Sequence, residues 1–315
     1  MYHIGVDLGG TNIAVGVVTE NYEIIGRGRV KTDCSKSPED IVNDMVAAVK
    51  LAVENAGVSM DEISDIGIAA PGSVDPETGD VAYANNLPFL NSPVCRWMQE
   101  QLGKPCYIDN DANAAAYGEL LAGAGKGASN FVMVTLGTGV GGGVIIDGKI
   151  YGGFNHAGAE LGHMMIVRDG EQCTCGNKGC FEAYGSATAL IRQTREAMDK
   201  APDSIMWELS KEKGVSGRTA FDAMRAGDEA GKKVVDDYIG YLACGLTNLV
   251  NIFQPEFIAI GGGICNEGET LLAPLRELVS KGDYNKVMPK KCAIRTAALG
   301  NDAGIIGAAG LYQMK

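Results

Sequence analysis

The sequence predicts an α/β protein made of two lobes built on one plan. Three observations carry that expectation. Apolar strand-like runs alternate with segments whose apolar residues recur at helical spacing. The stretch NFVMVTLGTGVGGGVIID (130–147) repeats the plan of HIGVDLGGTNIAVGVV (3–18): apolar strand, Leu-Gly turn, apolar strand. With 46% hydrophobic and 21% charged residues over 315 positions, the chain can fill two ordinary cores.

The elements follow in order. YHIGVDL reads as a strand, GGTN as a turn and IAVGVV as the return strand, with Asn21 in the next turn. Ser37-Pro38-Glu39-Asp40 is a helix start. Serine caps the first N–H groups, proline sits where no donor is needed, and acids occupy the first turn. Ile41, Val42, Met45, Val46, Val49, Ala52 and Val53 then mark one helical face. DIGIAA is a buried strand stopped by Pro71-Gly72, and PCYIDN is another that runs into a helix near Asp111. The chain loosens at Gly123–Gly127 before the strand pattern restarts. Asp228 opens a long helix with Val234, Val235, Tyr238, Ile239, Leu242, Leu246, Leu249 and Val250 inside, and Pro255 stops it. FIAI is a strand, and Gly261-Gly262-Gly263 opens a third glycine turn.

Charge and cysteine usage narrow the function classes. A net charge of −12 opposes nucleic acid as the main partner, because phosphate backbones want a basic face. It does not oppose a small anion held by backbone N–H groups. MYHIGVDLGG lacks the basic start and apolar core of a signal peptide, and no run of about 20 apolar residues offers a membrane span. Cys34, Cys95, Cys106, Cys244, Cys265 and Cys292 are scattered singly, which fits reduced thiols in a cytoplasm.

Three glycine turns, DLGGTN, TLGTGVGGG and IGGGI, each follow an apolar strand. Glycine lets backbone N–H groups approach phosphate oxygens. None matches the P-loop or the dinucleotide fingerprint. With Gly9, Gly10, Thr11, Asn12, Thr138, Gly139, Gly262 and Gly263 they form a candidate phosphate clasp between two lobes. Asp7, at a strand end beside that clasp, is the candidate magnesium ligand. DNDAN offers Asp109 and Asp111 as candidate acceptors of a hydroxyl proton, and strand alternation turns them apart without choosing between them. CTCGNKGCFE packs Cys173, Cys175 and Cys180 within eight residues, three thiolates for a structural zinc. His156 and His163, both upstream, compete for the fourth position.

Taken together, these segments resemble the ROK family of bacterial sugar kinases and sugar-sensing repressors, within the actin-like ATPase superfamily. DLGGTN resembles the first phosphate motif, APGSVD (70–75) and NNLPF (85–89) sugar-side segments, and DNDANAAAYGE (109–119) the catalytic segment. TLGTGVGGG resembles the second phosphate motif, AELGH with the cysteine cluster the signature and zinc segments, and IGGGI the adenosine segment. The resemblance implies a two-lobed actin-like (ribonuclease H-like) α/β fold with an interlobe cleft. The first lobe would span 1–118, joined by a C-terminal helix 301–315, and the second 119–300 with the zinc site. It implies Asp111 as general base, and His163 as fourth zinc ligand beside Cys173, Cys175 and Cys180. It implies Gly72, Asn86, Asn110, Asp111, Glu160, His163 and Glu182 as the sugar site. ATP, Mg²⁺ and structural Zn²⁺ would be the cofactors, glucose the substrate at its 6-hydroxyl, and a cytoplasmic homodimer the working form. An N-acetylmannosamine or N-acetylglucosamine kinase is the alternative enzyme. A sugar-responsive repressor is the alternative of another class, but it needs a helix-turn-helix ahead of the strand that here starts at residue 1.

Overall fold

The computed structural model describes residues 1–314. Lys315, the last residue of the expected C-terminal helix, lies outside the described residues. By its internal contacts the chain divides into two compact units. One comprises Met1–Phe131, Gly143–Ala159 and the segment from Ala297 onward; the other comprises Val132–Gly142 and Glu160–Thr296.

The first unit starts with β1 (Tyr2–Leu8), β2 (Asn12–Thr19) and β3 (Ile24–Lys31), then α1 (Pro38–Ala56) and β4 (Ile63–Ala70). Ser37 accepts from the Asp40 N–H at 3.2 Å, so the cap works as its sequence suggests, and Gly57 ends α1 in the left-handed region (φ 68°). A small antiparallel sheet follows, β5 (Ser73–Asp75), β6 (Asp80–Tyr83) and β7 (Leu90–Ser92), then α2 (Val94–Leu102), β8 (Cys106–Asn110) and α3 (Asp111–Ala122). The main sheet has the order β3-β2-β1-β4-β8. β1 and β2 pair antiparallel as a hairpin, whereas β4 joins β1 and β8 joins β4 in parallel, each after a helical crossover.

The second sheet has the order β11-β10-β9-β12-β13, built from β9 (Phe131–Leu136), β10 (Val140–Ile146), β11 (Lys149–Ile150), β12 (Phe257–Gly261) and β13 (Ala293–Thr296). Strand for strand this is the order of the first sheet, so the repeat seen in the sequence is a repeat of topology. Between β11 and β12 lie α4 (Glu182–Gly185), α5 (Ala187–Lys200), α6 (Met206–Leu209), α7 (Thr219–Arg225) and α8 (Glu229–Phe253). Asp228 caps α8, and the helix ends at Gln254 (φ 43°), directly before Pro255. α9 (Glu269–Gly282) precedes β13.

α10 (Ala303–Gly310) returns to the first unit and is built of glycine, alanine and isoleucine. Its backbone lies so close to the sheet that a Cβ on Gly5 would stand 1.9 Å from the Ile305 carbonyl oxygen, and one on Gly67 1.7 Å from that of Ala308. Only glycine on the strands allows this approach. Among the described residues no helix is long and apolar enough to cross a membrane.

Candidate active site and metal centre

In the first unit the β1–β2 turn is braced by the strand beyond it. The Gly9 N–H donates to the Asn12 carbonyl at 3.0 Å, and the Thr32 hydroxyl donates to the Gly9 carbonyl at 2.7 Å. The Thr32 N–H reaches the Thr11 carbonyl at 3.0 Å. Gly10 and Thr11 are left exposed at the tip. Asn86, exposed after β6, lies beside this turn: a Cβ on Gly10 would be 3.7 Å from that of Asn86. Asp7 ends β1 with its carboxylate against Gly304 of α10. Burial pushes the Asp7 carboxyl up to about 6, and the nearby Asp111 charge adds to the rise.

The junction of β8 and α3 separates the two candidate carboxylates. Asp109 is turned inward and accepts from the Asn110 N–H at 2.7 Å and the Asn113 side-chain amide at 2.9 Å. Burial raises its carboxyl, and these two bonds oppose the rise. Asn110 caps α3: its Oδ1 accepts from Ala112 and Asn113, and its Nδ2 donates to the Gly72 carbonyl at 3.0 Å. Asp111, the first helical residue, is exposed, and its Oδ1 accepts from the Ala112 N–H at 2.8 Å. Asp109 is therefore engaged by structural bonds, while Asp111 is solvent-exposed at the first position of α3.

In the second unit the β9–β10 turn closes through the Gly137 N–H to the Gly139 carbonyl at 3.0 Å. The Ala187 N–H at the start of α5 donates to the Gly137 carbonyl at 2.9 Å. Thr138 is exposed at the tip. The Glu182 carboxylate fills the place where residue 139 would carry a side chain. A Cβ there would stand 2.2 Å from Glu182 Oε2, which accepts from the Val140 N–H at 3.0 Å. The other oxygen, Oε1, accepts from the Thr174 hydroxyl at 3.2 Å. Gly262 and Gly263, exposed after β12, adjoin the same turn, because a Cβ on Gly262 would lie 2.1 Å from the Leu136 carbonyl oxygen. The second and third glycine turns thus meet.

The cysteine cluster folds onto the turn holding His163. Glu160, exposed, precedes the short helical turn Leu161–His163, and its carbonyl accepts from the His163 N–H at 3.0 Å. His163 Nδ1 lies 3.7 Å from Cys173 Sγ, and Cys175 Sγ lies 3.7 Å from Cys180 Sγ. The ligand atoms of His163, Cys173, Cys175 and Cys180 all lie within 4.8 Å of one another. A tetrahedral zinc with Zn–S near 2.3 Å demands sulfur separations of about 3.8 Å, so this donor set fits that ion. Desolvation pushes the Cys180 thiol up to about 12, so binding a metal there displaces a proton. His156, the other candidate, belongs to the first unit, where its Nε2 is 3.7 Å from Glu77 Oε1. His3, on β1, sits 2.9 Å from Asp65 and stacks on Tyr312. The sequence reading missed Thr174, Thr32 and Arg29; only the alternation of charge in RGRVK hints at the last.

The ROK family model matches residues 3–315 of this chain. The chain belongs to the ROK family. A glucokinase of Thermotoga maritima is 39% identical over 316 aligned residues, covering 98% of this chain and 96% of that protein. A glucokinase of Halalkalibacterium halodurans is 34% identical, covering 100% and 96%. Among solved structures, a ROK glucokinase from Streptomyces griseus in complex with glucose and AMPPNP superposes with a TM-score of 0.82 at 35% identity, covering 99% of each chain. The duplicated sheet order is accordingly that of the ROK sugar kinases, the actin-like ATPase fold.

Proposed function

We propose that this ROK protein is a hexose kinase that transfers the γ-phosphoryl group of ATP to the 6-hydroxyl of glucose. Asp111 is the general base. The observation that carries this role is the placement of the two carboxylates at the β8–α3 junction: Asp109 is turned inward onto two structural hydrogen bonds, while Asp111 is solvent-exposed at the first position of α3. Asp111 accepts the 6-OH proton as that oxygen attacks in line, and the leaving nucleotide keeps the electrons of the broken P–O bond. Full-length likeness to glucokinases supports glucose as the substrate.

Asn86, Asn110, the Gly72 backbone, Glu160, His163 and Glu182 hold the sugar. The glycine turns with Thr11, Asn12 and Thr138 hold the nucleotide phosphates through N–H and hydroxyl donors. A Mg²⁺ accompanying ATP would be held by Asp7, whose buried carboxyl beside Asp111 is relieved by a cation. His163, Cys173, Cys175 and Cys180 would hold zinc, and a closed Cys₃His site supplies a cross-link rather than a Lewis acid. It ties the Glu160–His163 turn to the segment ending at Glu182.

A coupled kinase assay over glucose, mannose, fructose and the N-acetylated hexosamines tests the reading. Glucose is expected to give the highest kcat/KM with ATP. A higher value for an N-acetylhexosamine moves the substrate, and no sugar-dependent ADP release sinks the kinase reading.

A further inference from the structure

We propose that Arg29 is a positioning residue for the phosphoryl donor: it locks the side-chain amide of Asn12 with both N–H donors free for phosphate. This rests on the reading of the β1–β2 turn as a phosphate site. Strand register places the groups. Asp7 pairs with Ala14 across β1–β2, and Ala14 pairs with Arg29 across β2–β3, so the three share one rung and one face of the sheet. Asn12 pairs with Lys31 two rungs nearer the turn, and so on the same face. Arg29 Nε then donates to Asn12 Oδ1 at 3.2 Å.

The chemistry of the two side chains fixes the orientation. A guanidinium carries only donors, so the atom it meets must be the amide oxygen. The Asn12 oxygen is thereby turned toward the guanidinium, and its two amide N–H donors are turned the other way. Without Arg29 the amide can turn over and present its oxygen, which repels phosphate. The contact is poorly explained as a stabilising device, because the bond is solvent-exposed and exposed polar pairs contribute little to folding. Its neighbour shows the contrast. Arg27, two residues earlier on the same face, is neutralised by Asp302 through bonds of 2.7 and 2.9 Å. Among the described residues Arg29 makes no ion pair; it meets a neutral amide and keeps its charge beside the turn.

The test is a double-mutant cycle read by calorimetric binding of MgATP and of adenosine alone. Arg29→Leu is expected to weaken MgATP about tenfold and leave adenosine unchanged. Arg29→Lys, also donor-only and charged, is expected to stay within about twofold of the natural protein. In an Asn12→Ala background, Arg29→Leu is expected to have little further effect. An undiminished effect of Arg29→Leu in that background overturns the proposal, because the arginine then acts by charge alone. So does unchanged MgATP binding in Arg29→Leu, a Lys variant as weak as Leu, or a natural protein that binds no MgATP. A natural protein that binds MgATP but phosphorylates no sugar sinks the kinase reading and leaves this one standing.

Discussion

The two sheets share one strand order, yet their first turns are braced by different means. The β1–β2 turn leans on the next strand: β3 runs eight residues, and Arg29 within it and Thr32 just past its end reach Asn12 and Gly9. In the second sheet the equivalent strand, β11, has two residues. The β9–β10 turn is held instead by the start of α5 and by Glu182, within ten residues of Cys173. One turn is braced by a strand, the other through a segment that a metal is expected to fix. The first unit therefore carries its geometry in its own hydrogen bonds, and the second would borrow part of it from the ion its four donors fit.

The largest effect expected confines the chemistry to the first unit. Asp111→Asn should lower kcat by about 10²- to 10⁴-fold while glucose binding, zinc content and melting temperature stay near natural values. Turnover within a few-fold of natural would remove Asp111 as the base. Next comes the ion. Cys175→Ser, or chelation of the natural protein, should release zinc and raise the glucose KM. Amide exchange should speed at residues 135–142 and not at 7–13. Equal loosening of both turns would mean that the contrast between them is false, and metal analysis finding no zinc would remove its premise.

Glu182→Gln weakens the bracing bond while leaving all four zinc donors in place, although Cys173 Sγ also lies 3.7 Å from Glu182 Oε1. Loss of a charge-assisted bond to the Val140 N–H should cost about 1–2 kcal/mol in denaturant unfolding and raise the glucose KM, with zinc retained. The remaining effect, a pH dependence, concerns Asp7. Its folded value of about 6 exceeds the ordinary 3.8, so the folded state holds a proton that the unfolded chain has released. Stability without ligands should therefore fall as pH rises from about 4 to about 6. Asp7→Asn should remove that slope and stabilise the ligand-free protein at pH 7 by up to about 3 kcal/mol. It should also weaken Mg²⁺-dependent activity. A pH–stability curve identical in the variant and the natural protein would sink this account of Asp7.

Much of this frame was legible in the sequence, because local rules govern it. Ser37 and Asp228 cap where their spacing says, and Pro255 ends α8 one residue after Gln254. The repeat of an apolar strand with a Leu-Gly turn gave away the duplicated sheet. Depth and partnership were not legible. Alternation turned Asp109 away from Asp111 but could not say that Asn113 and the Asn110 N–H would occupy the former. Spacing alone gave His156 and His163 equal claims to the thiols; the fold puts His163 beside Cys173 and His156 beside Glu77. No local pattern marked the bond of Glu182 to the β9–β10 turn, because its partner, Val140, lies 42 positions away.

The seating of α10 carries a consequence for synthesis of the chain. Its backbone seals glycines on β1 and β4 that left the ribosome some 300 and 240 residues earlier. Residues 132–142 and 160–296, the whole second unit, emerge before that seal exists. The order of assembly is thus the reverse of the order of the chain: the unit translated first is completed last. Ribosome-stalled chains ending near residue 296 should show a protease-resistant second unit and a cleavable first one, whereas equal resistance of both would contradict that order. A tag or truncation at the carboxyl end would then be felt at residue 5.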